Sequence, residues 1–115
     1  MLAVVVELHV EEQQRQEYLQ LAARLGQQLE QIDGFLSIER FESLSQPGRI
    51  LSLSYWRDEE AVARWRQQEA HRAAQSQARN GLLRQYRFTV LQALRQYGKE
   101  ARDQAPVDSR SFHGV

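Results

Sequence analysis

The sequence predicts an α+β fold: a four-stranded antiparallel sheet with both helices on one face, in the ferredoxin-like order strand, helix, strand, strand, helix, strand. Three observations point there. Four short segments are rich in β-branched and aromatic residues, two longer ones repeat their apolar residues at three- and four-residue steps, and Gly, Pro or Asn marks the junctions. A length of 115 residues suits one domain.

Residues 2–10, LAVVVELHV, open the chain as a strand. Val4, Val6, Leu8 and Val10 share one face, and Ala3, Val5, Glu7 and His9 the other. Residues 12–32 form a helix whose apolar stripe is Tyr18, Leu21, Ala22, Leu25, Leu29 and Ile32. Asp33-Gly34 ends it, glycine suiting the left-handed residue past a helix end. Residues 35–44 and 49–56 pair as a hairpin across Ser45-Gln46-Pro47-Gly48. Alternation in the first of these places Leu36, Ile38, Arg40, Glu42 and Leu44 opposite Phe35, Ser37, Glu39, Phe41 and Ser43. In the second, Leu51, Leu53 and Tyr55 oppose Ile50, Ser52, Ser54 and Trp56.

Asp58 is the expected N-cap of the second helix, with Glu59 and Glu60 favourable in its first turn. That helix runs to about residue 77, with a kink or break expected between Gln67 and Ala70. Asn80-Gly81 signals a turn, and residues 86–95 form the last strand. The organisation expected is a domain at residues 1–98 and a C-terminal tail at 99–115. The tail shows no periodicity and is expected to be mobile or to form a dimer arm.

Composition narrows the function. Fifteen basic and fifteen acidic residues cancel and are interspersed, which argues against a nucleic-acid partner. The chain has no cysteine, which excludes disulfides, thiolate metal sites and a cysteine nucleophile. No stretch approaches the roughly 18–20 apolar residues that span a bilayer, so no membrane partner is expected, and the cytoplasm is the expected compartment. Both faces of the strands carry apolar residues, and one short chain supplies helices for only one face. The expected functional unit is therefore a homodimer with its sheets packed face to face.

No nucleotide-binding, zinc-protease or serine-hydrolase motif is present. His9, His71 and His113 are scattered, so no metal site is expected. Glu7, His9, Glu39, Ser52 and Ser54 are polar residues on strands. Any that faces inward needs a partner or a ligand.

Three stretches carry a resemblance: GFLSIERFES, RILSLSYWRDEEAVARWRQQEAHRAAQ and YRFTVLQALRQYG. Together they resemble the antibiotic biosynthesis monooxygenase (ABM) domain family, of the dimeric α/β-barrel superfamily, over about residues 2–98. The resemblance implies a homodimer and a pocket between sheet and helices that takes a small aromatic or apolar molecule. It implies a monooxygenase that oxidises an aromatic or quinol-like substrate with dioxygen as co-substrate and without metal or flavin. On this reading His71 is the catalytic acid–base candidate, able to accept a phenolic proton. Trp65 and Trp56 are candidate pocket walls, and Glu7, His9 and Glu39 candidate substrate-binding residues. The heme-degrading branch resembles this chain less, because Gln75 stands ten residues beyond Trp65 where an axial histidine is expected. The alternative is a non-catalytic ligand-binding or stress-related dimeric module.

Overall fold

In the computed structural model the backbone of all 115 residues is described, and the side chains of all but Glu69, Ala70, His71, Gln75 and Asn80. The β-branched opening segment forms strand β1 (Leu2–His9), and a 3₁₀ turn at Glu12–Gln14 leads into helix α1 (Arg15–Leu29). The hairpin follows as β2 (Phe35–Glu42) and β3 (Arg49–Trp56). Next come α2 (Glu59–Gln67) and α3 (Glu69–Gln77), a π turn at Ala78–Leu82, and β4 (Gln85–Gln92). The strands order as β2-β3-β1-β4, antiparallel throughout, which is the ferredoxin-like topology.

Each junction has a local cause. Gly34 takes φ +93°, which lets the chain leave α1 and bring the Phe35 N–H to the Ile32 carbonyl at 3.1 Å. A Cβ at Gly34 would stand 2.6 Å from Cβ of Ala61, so glycine also permits α2 to approach. Asp58 caps α2 as expected: its backbone is extended, and its carboxylate accepts the Ala61 N–H at 2.9 Å. The expected break falls at Gln68, whose ψ of 141° separates α2 from α3.

The helix-facing side of the sheet carries Val4, Leu8, Ile50, Ser52, Ser54 and Trp56, all buried. One core cluster joins Val4 and Trp56 to Leu29, Ile32, Ala61 and Val62. A second joins Leu8, Val10 and Ile50 to Tyr18, Ala22 and Leu82. One face assignment differs from strict alternation. A β-bulge shifts the register between Phe35, opposite Trp56, and Ser37, opposite Tyr55. Leu36 is the extra residue, so Phe35 packs into the helix-side core with Ile38 instead of sharing the outer face with Phe41.

The opposite face has no helix over it. Its central rows run Glu39, Leu53, Val5, Thr89 and Phe41, Leu51, Glu7, Arg87. Phe41 and Leu91 are exposed on it.

The tail is not structureless. It holds a helix, α4 (Val107–His113), that no periodicity revealed because two arginines rather than an apolar stripe organise it. Arg102 donates to the carbonyls of Gly98 (3.0 Å) and Val115 (3.2 Å) and to Ser109 Oγ (2.7 Å). Arg110 donates to the carbonyls of Arg102, Asp103 and Ala105. Among the described residues α4 packs substantially on no other element, and Val107 and Phe112 are exposed. The radius of gyration, 16.9 Å, exceeds the ~13 Å of a compact domain this long, so the arm projects.

Candidate functional site

The helix layer does not close completely on the sheet. Between α1, the α2–α3 unit and the strands lies an apolar cavity of about 100 Å³. From α1 it receives Tyr18, Leu21, Ala22, Leu25 and Leu29, at the same three- and four-residue spacing that made the helix legible. From the sheet come Val6, Leu8, Ile38, Arg40, Ser52, Tyr86 and Phe88; Trp65 and Ala74 contribute from α2 and α3.

Trp65 holds its place through an aromatic stack. Its ring lies on Trp56, with centroids 5.0 Å apart and planes 24° apart, and Phe35 meets Trp56 edge-on at 5.2 Å. Trp56 is fully buried and is fixed by its indole N–H, which donates to Ser54 Oγ at 2.9 Å. The Ser54 hydroxyl in turn donates to the Val4 carbonyl at 3.4 Å. Ser54, a strand polar group facing inward, thus has both partners inside the core. Of the two tryptophans, Trp65 reaches the cavity and Trp56 lies in the core supporting it.

Two lining residues carry phenolic hydroxyls that differ in setting. Tyr18 is buried in the second core cluster, and the Tyr86 hydroxyl accepts from Arg79 at 3.3 Å. Arg40 stands opposite Ser52 in the β2–β3 register, and both line the cavity. Arg40 is half-buried, and its Nε is buried with no hydrogen-bond partner. Sequence reasoning did not single out Arg40. The signal available was its place on one face with Ile38, where a charge on an otherwise apolar inward face needs an explanation.

The remaining sequence-derived candidates lie elsewhere. Glu7 and His9 are on the outer face and border a separate polar cleft of about 480 Å³ with Arg49, Gln85 and Arg87. There the Glu7 carboxylate accepts from Arg87 Nε at 2.8 Å and faces Arg49 at 3.9 Å. Glu39 is exposed on the outer face beside Leu53. The structure therefore does not gather Glu7, His9 and Glu39 with Trp65. His71 belongs to α3 and Gln75 follows it there, but the side chains of both lie outside the described residues. Among the described residues no three His, Asp or Glu side chains gather as a metal site, and no helix is long and apolar enough to cross a membrane.

The sequence pattern of the family described as antibiotic biosynthesis monooxygenase matches residues 1–77. A Pyricularia oryzae protein named Jasmonate monooxygenase ABM is 44% identical over 90 residues, 78% of this chain and 42% of its own length. The chain thus spans under half the length of that curated relative. Among solved structures, a Deinococcus radiodurans protein named for the same family is 21% identical with a TM-score of 0.78, covering 86% of this chain and 98% of its own. A variant of SnoaB, a cofactor-independent oxygenase from Streptomyces nogalater, is 15% identical with a TM-score of 0.74, covering 85% and 97%. Those two likenesses show the shared fold. The sequence match over two thirds of the length shows more: the chain belongs to the antibiotic biosynthesis monooxygenase family.

Proposed function

We propose that this protein is a cofactor-independent monooxygenase that oxidises a small aromatic or quinol-like molecule with dioxygen in the cavity between sheet and helices. The observation that carries the reading is that cavity: an apolar chamber walled by Trp65, in a chain of this family. An apolar cavity of about 150 Å³ takes a benzene-sized guest, so a cavity of about 100 Å³ sets a single ring as the upper size of the body it encloses without the walls moving. The substrate supplies the electrons. Its deprotonated form is oxidised by dioxygen; one oxygen atom ends on carbon and the other leaves as water. The protein contributes a dry wall, orientation and a proton acceptor.

His71 is the proposed acceptor. It precedes the cavity-lining Ala74 by three residues in the sequence of α3. Trp65 is the proposed ring platform. Heme does not fit this site, because a cavity of about 100 Å³ is well short of a tetrapyrrole. The proposed unit is a homodimer packed through the outer face, with residues 99–115 as an arm toward the second copy. The cysteine-free composition fits a reducing compartment such as the cytoplasm.

Oxygen consumption with a panel of quinols and phenols tests the reading. Uptake that falls about a hundredfold or more in His71→Ala is the expected result. Ligand-dependent thermal stabilisation with no oxygen uptake would assign the pocket to a binding module instead.

A further inference from the structure

The cavity lining is apolar except for two tyrosines, Ser52 and Arg40, and Arg40 is its one charged residue among the described ones. Several other arginines are matched, and those without a partner among the described residues, such as Arg24, Arg66 and Arg95, are exposed to solvent. Arg15 forks onto Glu42 at 2.6 and 3.1 Å, Arg57 onto Asp33 at 3.0 and 3.1 Å, and Arg84 and Arg87 face Glu11 and Glu7. The Arg40 side chain makes no hydrogen bond or ion pair among the described residues, and its Nε is buried. A buried donor left unmade is costly, and folded proteins rarely retain one. Its cross-strand neighbour Ser52 is buried on the same cavity wall and offers a hydroxyl.

Resting on the reading of this cavity as the substrate pocket, we infer that Arg40 is its anion anchor and that the substrate is a carboxylic acid with an apolar body. The planar guanidinium matches a carboxylate through two parallel N–H donors, and its charge has no carboxylate partner among the described residues. Ser52 supplies a further donor, and Trp65, Leu29, Ile38 and Phe88 surround the apolar body. One arginine neutralises one negative charge, which suits a carboxylate better than a doubly charged phosphate in walls this apolar. Arg40 is a binding and specificity residue here. No bond is made or broken at it.

Calorimetric titration of the full chain with phenylacetate and with octanoate, each against its methyl ester, tests the inference. Acid and ester share the apolar body and differ in the charge. The acids should bind about tenfold or more tighter than their esters. Arg40→Met should abolish that preference, and Arg40→Lys, which keeps the charge and loses the fork, should fall between. Arg40→Met should melt no lower than the parent, since it replaces an unsatisfied donor with an apolar chain of similar length. Equal binding of acid and ester, or an acid preference that survives Arg40→Met, overturns the anchor and leaves the pocket reading intact. Loss of the fold in Arg40→Met overturns it by showing a structural role. Binding of neither acid nor ester overturns the pocket reading together with the anchor.

Discussion

Arg57 shows how single residues set the frame. Its backbone N–H reaches the Gly34 carbonyl at 2.8 Å, while its guanidinium binds Asp33 and Asp58, tying the end of α1 to the start of α2. The hydrogen bond from Arg57 holds Asp33 below the usual carboxylate range; the Ala61 N–H, then Arg57, does so for Asp58; and Arg15 does so for Glu42. The sign follows. The folded state binds fewer protons on these groups than the unfolded chain does. Their stabilisation is complete above the unfolded-state values and is lost as pH falls through the lower folded ones. The melting temperature should therefore decline from roughly pH 4.5 downward. Asp58→Asn, which keeps a good cap but cannot titrate, should decline less steeply than the parent. Thermal melts across that range check both. Because all three carboxylates sit in solvent-exposed pairs, added salt should reduce the effect.

At the scale of elements, the end of β3 and the face of α2 form one device. Phe35 meets Trp56 edge-on and Trp56 stacks on Trp65 at the cavity wall, and the β-bulge in β2 is what brings Phe35 to the correct face. The two tryptophans should then behave differently. Trp56→Ala removes a side chain with no exposure and should destabilise by about 3–5 kcal/mol. Trp65 is half-buried, so Trp65→Ala should cost less stability while removing the ring platform and weakening any ligand of the cavity. Urea denaturation and calorimetry on the two variants separate the roles. Most of this device was legible in sequence. The period of two placed Trp56 with Ser54 and Ser52, and Asp58 marked where α2 begins. The bulge was not legible, because Phe35-Leu36-Ser37 reads equally well as regular alternation, and only pairing with β3 reveals the extra residue.

At the scale of the whole molecule, an uncovered sheet face and a projecting arm set the expected assembly. Val5, Leu51, Leu53 and Tyr55 lie half-buried on that face, and Phe41 is exposed beside them. A stable pairing buries about 800 Å² on each partner, an area that the outer face of a four-stranded sheet can supply. Leu53→Arg places a charge in the middle of it, next to Glu39 in the register, where the monomer tolerates it and a facing sheet does not. Sedimentation should find the parent as a dimer and Leu53→Arg as a species near 13.4 kDa at micromolar concentration. A monomeric parent would refute the face-to-face assembly.

The sequence by itself determined the order of elements up to β4, the capped and broken second helix and the two-sided apolar sheet. These are properties of short-range period and turn chemistry, written within a few residues of where they act. It also supplied the rule that an inward polar group on a strand needs a partner or a ligand. Tertiary structure decided which groups the rule applied to. Ser54 closed its bonds within the core; Glu7, His9 and Glu39 faced away; and Arg40, read only as one residue of an alternating strand, lined the cavity with an unmatched donor. The physical reason is that a strand's alternation says which residues share a face, but burial and pairing depend on what is packed against that face. Helices separated from β2 in sequence and folded over it made the Arg40 side a cavity wall and left the Glu39 side in solvent.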